Sequence, residues 1–210
     1  RIIKKEKKII PRGLGRSYGD SSLQKNCVIK LDNFNKILNF DKKKGIISLQ
    51  AGTTLKQLLE KTIPNRWFVP VSPGTKFLTL GGMVASNVHG KNQHQSGCLI
   101  NHILEIKLLH KNKILTLSKF KNSELFNATC GGMGLTGIIL ELKIKLKNIQ
   151  SDKIFQKNIF FSDLKKCIST IKHNKSEYSV VWLDCFSLNK NMKINSILYL
   201  GNHESKKKYL

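Results

Sequence analysis

The sequence predicts an α+β protein, and three observations lead to this class. Apolar and charged residues alternate strictly from Leu140 to Lys147, the pattern of a half-buried β-strand. Helical signals occur as well, such as Thr53-Thr54 in front of the run LKQLL. The two kinds of element mix without regular βαβ alternation, so a doubly wound parallel sheet is not expected.

The first half of the chain is predicted to hold strands, a hairpin and a capped helix. Short apolar runs predict three strands: Cys27 to Leu31, Ile37 to Phe40 and Ile46 to Leu49. The segment Asp41 to Gly45 between the last two is a hairpin signal. The helix behind Thr54 is expected to end before Pro64, and Trp67 to Val71 to be extended, leading into a turn at Ser72-Pro73-Gly74.

A second hairpin and a short helix come next. The strands predicted at His102 to Leu109 and Ile114 to Leu117 flank a turn at Lys111 to Lys113. A helix opens at Ser123 and stops at Gly131-Gly132, and the alternating strand follows it.

The chain changes character around Asn148 to Lys157, and we place a domain boundary there. The expected domains are residues 1–148 and 149–210. In the second, we expect a helix capped by Ser162 and strands at Tyr178 to Phe186 and Ile197 to Leu200.

The composition is that of a globular protein with a large positive charge. The 210 residues include 37 Lys plus Arg, 13 Asp plus Glu and 40% apolar residues, with a formal net charge of +24. This apolar fraction excludes a wholly disordered chain, and no apolar run reaches the length of about 18 residues that a spanning helix needs. Because Lys is scattered over nearly every segment, we favour a solvated surface over a nucleic-acid site; a basic polyanion-binding module is the non-enzymatic alternative.

Cysteine and histidine usage indicates neither a disulfide framework nor a metal site. The five cysteines are odd in number and widely spaced, which is typical of a reducing compartment. His89 and His94 lie close together in HGKNQH, but no further ligand follows at a suitable spacing. We therefore expect a cytoplasmic protein without metal.

The first of three glycine-rich loops is Pro11-Arg12-Gly13-Leu14-Gly15-Arg16-Ser17-Tyr18-Gly19-Asp20. Its glycines allow positive φ and close approach of a ligand to the backbone. Successive N–H groups of such a loop form an anion-binding nest, and Arg offers planar forks to phosphate oxygens. Only four Arg occur in the chain and two lie here, so we interpret the loop as a phosphate site rather than a connector.

The second glycine-rich stretch runs from Ser72 to Thr75 and from Thr79 to Asn92. Gly81-Gly82 predicts a helix start whose N-terminus meets a pyrophosphate or a ring oxygen, and Gly90 is expected to let the chain leave that helix. Tight helix packing with a core histidine is the alternative. The polar residues that crowd around Gly90 favour the ligand site: Asn87, His89, Lys91 and Asn92.

The third loop, Gly131 to Ile139, contains a GxGxxG match from Gly132 to Gly137. A Rossmann fingerprint follows a strand and opens a helix, whereas here a helical segment precedes the loop and a strand follows it. The order excludes a nicotinamide site of that kind. Three glycine loops spread along the chain instead suggest one long ligand, and a flavin dinucleotide fits.

Four motifs carry a specific resemblance: PRGLGRSYGD, PGT(x4)LGG(x6)HGKN, NATCGGMGLTGII and YSVVWLD. They resemble the FAD-binding oxidases of the vanillyl-alcohol oxidase / p-cresol methylhydroxylase (PCMH-type) superfamily, and within it the decaprenylphosphoryl-ribose 2-oxidases, flavoprotein subunits of an epimerase that serves cell-wall biosynthesis. The resemblance runs from about residue 11 to 187. It implies a PCMH-type FAD-binding domain of two α+β subdomains, followed by a substrate domain.

The resemblance also implies roles for individual residues. The cofactor-binding positions are Pro11, Arg12, Gly13, Leu14, Gly15, Arg16, Ser17, Tyr18, Gly19, Asp20, Ser21, Gly74, Thr79, Leu80, Gly81, Gly82, His89, Gly90, Lys91, Asn92 and Ile139. His89 is the candidate catalytic residue, as a donor or positioning group near the flavin ring. Many relatives attach the flavin through a His in the first loop; Arg16 stands at that position here, so non-covalent FAD is expected.

The implied activity is oxidation of a secondary alcohol of a sugar, at the 2-hydroxyl of a polyprenylphosphoryl pentose. A sugar-1,4-lactone or alditol oxidase of the same fold is the alternative. The expected partners are a sugar or lipid-linked sugar phosphate and a short-chain reductase, without nucleic acid, and peripheral membrane contact is the alternative to a purely cytoplasmic location. The chain starts without Met and resembles only the first part of the family, so we expect a fragment that is cut inside the substrate domain and inactive alone.

Overall fold

The structure is a computed structural model and describes residues 8–187 and 193–205. Helices and strands mix in both of its compact units, so the α+β class is confirmed. The first unit holds the described residues up to Gly90 together with Ser96–Asn148, and the second holds Lys91–Gln95 with the described residues from Ile149 onward.

The elements are numbered in chain order. The strands are β1 (Ile9–Arg12), β2 (Cys27–Lys30), β3 (Ile37–Asp41), β4 (Ile46–Gln50), β5 (Trp67–Phe68), β6 (Ile103–His110), β7 (Lys113–Leu117), β8 (Ile138–Lys145), β9 (Lys147–Asn148), β10 (Ile154–Phe161), β11 (Tyr178–Leu183) and β12 (Ser196–His203). The helices are α1 (Leu55–Thr62), α2 (Leu80–Ala85), α3 (Gln93–Ser96), α4 (Ser123–Thr129) and α5 (Leu164–His173). Short 3₁₀ turns lie at Ile63–Asn65, Leu99–His102 and Cys185–Ser187.

A five-stranded antiparallel sheet organises the first unit, in the order β3-β4-β8-β6-β7. The predicted alternation is seen in β8, where Leu142 and Ile144 are buried and Lys143 and Lys145 are exposed. Because side chains point to opposite faces in turn, one face of the sheet is apolar and forms the core. Phe126 of α4 is completely buried in that core.

Helix α1 begins as its sequence predicts. Thr54 Oγ1 accepts a hydrogen bond from Gln57 N at 3.1 Å, and Gln57 Oε1 accepts one from Thr54 N at 2.8 Å, which is a complete capping box. The α-helix ends at Thr62, before Pro64 as predicted, and the 3₁₀ turn Ile63–Asn65 follows it directly. Proline is tolerated there since a first turn needs no N–H donor at that position.

Two small sheets complete the first unit. Strands β1 and β2 pair in parallel and flank the first glycine-rich loop. Strand β5 pairs with β9 and is two residues long, shorter than the predicted Trp67 to Val71, because β9 itself offers only Lys147–Asn148.

The second unit contains the antiparallel sheet β10-β12-β11. Helix α5 packs on one face, where Cys167, Leu198 and Leu200 are buried together. Asp163, and not Ser162, caps this helix, since its Oδ1 accepts from Lys165 N at 2.8 Å and from Lys166 N at 3.3 Å.

Three strand predictions need correction in this unit. No strand is predicted at β10, because IFQKNIFF lacks a regular alternation, and most of its residues are exposed. Strand β11 ends at Leu183, before the predicted Phe186, because the chain turns into the 3₁₀ segment. Strand β12 is longer than predicted, and the end of the chain at residues 206–210 lies outside the described residues.

Among the residues that the structure describes, no helix is long and apolar enough to cross a membrane.

Candidate cofactor site

The first glycine-rich loop leaves β1 at Arg12 and is tied to the end of β2. Leu31 N donates to Arg12 O at 2.9 Å, which fixes the base of the loop. Gly15 has φ +63°, a left-handed conformation that favours glycine, and the Arg12 guanidinium lies where a Gly15 side chain would project. The loop therefore folds back on itself and holds one of its two arginines against its own backbone.

The backbone donors of this loop are available to a ligand. Within the described residues, no N–H group from Gly13 to Tyr18 donates a hydrogen bond to another protein atom. Arg16 is exposed, and its Nε donates to Phe77 O at 3.3 Å. Consecutive free N–H groups next to arginine form a site for phosphate oxygens.

Helix α2 packs against this loop through Thr79. The Thr79 side chain caps the helix by accepting from Gly82 N at 3.2 Å. A Cβ on Gly13 would overlap Thr79 Oγ1, so only glycine allows the loop to approach the helix this closely.

The N-terminus of α2 was predicted to meet a pyrophosphate or a ring oxygen, but its N–H groups already donate hydrogen bonds within the protein. Leu80 N donates to Thr53 O at 2.8 Å, Gly81 N donates to Ala51 O at 2.8 Å, and Thr79 satisfies Gly82 N. These donors anchor the helix to the segment after β4.

The prediction that Gly90 ends this helix is wrong. The helix ends at Ala85, and the chain turns at Asn87, which has φ +39°. Asn87 tolerates this conformation because its Oδ1 accepts from Ile100 N at 3.1 Å.

The third glycine-rich loop is hydrogen-bonded to the end of the same helix. Gly131 N donates to Val84 O at 3.0 Å, and Met133 N donates to Ala85 O at 2.9 Å. The loop lies between α4 and β8, so the reversed order that argued against a Rossmann site is present in the structure. All three glycine-rich segments thus converge on α2.

A cleft of about 140 Å³ opens where these segments meet. Predicted cofactor residues line much of it: Pro11, Gly13, Leu14, Gly15, Arg16, Ser17, Ser21, Thr79 and Gly82. An adjoining depression of about 50 Å³ shares several of these residues and adds the predicted Gly81 and Ile139.

Several wall residues were not predicted. They are small or apolar and include Ser22, Leu78, Met83, Ala85, Ser86, Val88 and Met133. Met133 has φ +50° within the third loop, and its sulfur lies 3.7 Å from Ser86 Oγ. Its place inside the GxGxxG match was the available signal for it, whereas nothing in the sequence marks Ser22 or Val88.

Other predicted residues lie outside the walls of the cleft. Tyr18, Gly19 and Asp20 are exposed in the first loop, and a Cβ on Gly74 would meet open space. Leu80 is completely buried in the apolar core, so its side chain faces away from any ligand.

The HGKN segment is divided between the two units. His89 is exposed and forms an isolated backbone bridge with Cys98. Both residues belong to the first unit, which the chain leaves after Gly90 and re-enters at Ser96. Lys91 and Asn92 belong to the second unit, where Lys91 O accepts from Ser179 N at 2.9 Å and Asn92 is buried.

Cys130, at the start of the third loop, is not an activated thiol. Burial raises its pKa to about 11, so it stays protonated near neutral pH. The cleft itself offers free backbone donors and the Arg16 side chain to a ligand.

A family model described as "FAD binding domain" matches residues 1–118, more than half of the chain. The chain belongs to this FAD-binding domain family. The residues fit the cofactor, because the first loop offers unpaired N–H groups to phosphates and Gly13 lets this loop lie close against Thr79 of α2. The sequence resemblance to PCMH-type flavoproteins is confirmed.

Relatives of this FAD-binding domain include oxidases and dehydrogenases. The chain is 35% identical over 186 residues to the decaprenylphosphoryl-beta-D-ribose oxidase of Mycolicibacterium smegmatis, covering 85% of this chain and 40% of the relative. It is 31% identical over 160 residues to the D-lactate dehydrogenase of Anaerostipes hadrus (73% and 33%) and 28% identical over 142 residues to the L-gulonolactone oxidase of Scyliorhinus torazame (67% and 32%). The chain thus spans less than half the length of these relatives.

A solved structure of an alkyldihydroxyacetonephosphate synthase superposes with a TM-score of 0.79 at 17% identity, covering 95% of this chain and 43% of that one. At this identity the similarity establishes the fold alone.

Proposed function

We propose that this protein is an FAD-dependent oxidoreductase that oxidises a secondary alcohol of a sugar, the 2-hydroxyl of a polyprenylphosphoryl pentose. The observation that carries the cofactor assignment is the row of unpaired N–H groups from Gly13 to Tyr18 beside the cleft. The substrate assignment is supported by the 35% identity to an oxidase named for such a lipid-linked pentose.

The residues of the chain would then act mainly by binding and orienting. When bound, the flavin supplies the acceptor for the hydride taken from the substrate carbon. The first loop and Arg16 hold the pyrophosphate, and Thr79 with Gly82 and Ile139 line the space beside it. His89, which is exposed, is the proposed positioning group near the reacting end.

We further propose that residues 149–210 begin a substrate domain and that a short-chain reductase is the partner of the complete protein. The reductase is expected if the protein is an epimerase subunit, since the 2-keto sugar that the oxidation forms needs reduction to complete inversion.

A sugar-lactone oxidase is the second candidate. It is supported by the similarity to the L-gulonolactone oxidase, which covers 67% of this chain. The first candidate is preferred because its relative is more similar over a longer stretch.

Dye reduction by the complete, FAD-loaded protein distinguishes the two. We expect turnover with a polyprenylphosphoryl pentose and none with free aldonolactones at the same concentration. The substrate must sit in register with the flavin for hydride transfer, so poor substrates lose kcat as well as affinity. Turnover of the lactones alone would replace the first candidate with the second.

The flavin is expected to be FAD and to be released by acid. Arg16 cannot form the covalent bond that a histidine forms at its position in many relatives, so acid precipitation should leave a colourless pellet and a yellow supernatant. Chromatography of the supernatant should identify FAD and no FMN. A yellow pellet would reveal a covalent link, and recovery of FMN alone would refute the dinucleotide assignment.

A further inference from the structure

One end of the five-stranded sheet collects basic residues that are far apart in the sequence. In the antiparallel order β3-β4-β8-β6-β7, the β3–β4 turn, the end of β8 and the turn after β7 lie at the same end. With strands spaced about 4.8 Å apart, this end is roughly 20 Å wide. We name it the basic sheet end and define it by Lys42, Lys43, Lys44, Arg66, Lys119, Lys121 and Lys145.

Trp67 holds part of this surface in a fixed arrangement. Its Nε1 donates to Lys42 O at 2.9 Å, and the Lys145 ammonium lies 5.6 Å from the centre of its ring. Lys145 Nζ also donates to Lys44 O, and Gly45, with φ +61°, packs directly on the indole. The basic turn, β5 and the end of β8 are thereby locked together.

The positive charge of the basic sheet end is largely uncompensated. Within the described residues, none of its seven cations forms an ion pair with a carboxylate. Asp41 is nearby, but its Oδ1 accepts from Lys44 N at 2.9 Å and Lys43 N at 3.0 Å. These two bonds, of which the one from Lys44 N has the larger effect, hold the pKa of Asp41 below its usual range. The Asp41 carboxylate is therefore bonded to the backbone of the turn and, in the part of the chain that the structure describes, forms no ion pair with the lysines.

Two further carboxylates lie near this end. Glu105 is opposite Lys143 in the β6–β8 ladder, and Glu124 is in the first turn of α4. Seven cations against three carboxylates leave a net positive charge.

An exposed phenylalanine projects from the same end of the sheet. Phe120 is 98% exposed, although its turn is ordered: Ser118 Oγ accepts from Phe120 N at 3.2 Å and from Lys121 N at 3.1 Å. Ser118 N donates to Lys121 O at 2.8 Å. A single exposed apolar residue is common, but a rigid turn that presents one between Lys119 and Lys121 is suited to an interface that is both anionic and apolar.

The basic sheet end is separate from the cofactor cleft. The depression that adjoins the cleft is lined by Ala51, Gly137 and Ile139, which lie at the opposite ends of β4 and β8. A partner could therefore cover the basic sheet end and leave the cleft open.

We infer that the basic sheet end docks the protein on an anionic lipid bilayer, with Phe120 entering the interfacial layer. The lysines of the basic sheet end are spread out, as suits the diffuse negative potential of lipid headgroups. Each lysine is attracted to that potential as a point charge. A nucleic-acid site would instead be expected to use arginine forks and a groove, and only Arg66 is present here. The inference does not depend on the substrate proposed above.

Sedimentation of the complete, FAD-loaded protein with lipid vesicles tests this inference. The protein should bind vesicles of phosphatidylcholine with phosphatidylglycerol and not vesicles of phosphatidylcholine alone. Replacing Lys42, Lys43 and Lys44 by Gln should lower the partition coefficient about a hundred-fold, at about five-fold per lysine. Phe120→Ser should lower it about ten-fold, because the apolar contact is lost while the charge is kept.

The opposite end of the same sheet supplies the matched control. Replacing Lys36, Lys111 and Lys113 by Gln removes the same charge and should change binding by no more than about two-fold. Retained FAD and an unchanged circular dichroism spectrum establish that each variant is folded. Equal losses for the two triple variants, no binding by the unmodified protein, or tighter binding to a single-stranded oligonucleotide than to the anionic vesicles at equal phosphate concentration would each overturn the inference.

Discussion

Gly15→Ala is expected to lower the affinity for FAD about a hundred-fold. At φ +63° an alanine carries roughly 1–2 kcal/mol of backbone strain. Its Cβ would also occupy the place of the Arg12 guanidinium. The guanidinium would then have to move into solvent, away from the backbone of the loop. We propose that Arg12 donates a charge-assisted hydrogen bond to a phosphate of FAD, and its loss adds about 1.5–3 kcal/mol, which together with the strain is equivalent to the predicted loss. Titration of the apoprotein with FAD, followed by flavin fluorescence, measures it.

Gly19→Ala separates these two contributions. Gly19 has φ +61°, almost the same conformation, but an added Cβ there meets nothing within 4 Å. It should therefore show the strain alone, a loss of about ten-fold. Equal affinities for the two variants would mean that Arg12 plays no part in holding the cofactor.

The fold was predictable where local signals agree with tertiary packing. In β8, strict alternation matches a sheet with one buried face, and at α1 the Thr54–Gln57 capping box is a local device that needs no distant partner. Strand β10 shows the opposite case. Most of its residues are exposed, so it owes its conformation to pairing with β12 along its whole length, and pairing between distant strands leaves little trace in composition.

The candidate site shows the same division. The first loop could be predicted because its requirements all favour Gly and Arg in one short segment. These requirements are positive φ, close approach of the loop to α2 and phosphate binding. The contribution of α2 was misjudged because its N–H groups are taken by carbonyls of Ala51 and Thr53, a long-range arrangement that the glycine pattern does not encode. Backbone acceptors carry no sequence signature, whereas side-chain caps such as Thr79 do.

Leu80 offers a decisive comparison between motif and structure. It lies in the LGG motif that the family resemblance assigns to the cofactor, yet its side chain is completely buried among apolar residues. Leu80→Ala is therefore expected to lower the free energy of unfolding of the apoprotein by about 2–5 kcal/mol, from lost burial and the cavity that remains. Urea denaturation without FAD measures this loss.

Two further variants decide whether that loss belongs to the core or to the cofactor site. Leu80→Met conserves volume and should cost less than about 1.5 kcal/mol of stability while FAD affinity stays unchanged. Leu14→Ala, at a residue that is 39% exposed and lines the cleft, should change stability by no more than about 0.5 kcal/mol. If Leu80→Met kept full stability but lost FAD, the side chain would have to contact the cofactor, and the placement of α2 against the sheet would be wrong. A large loss of stability for Leu14→Ala would likewise assign the first loop to the core.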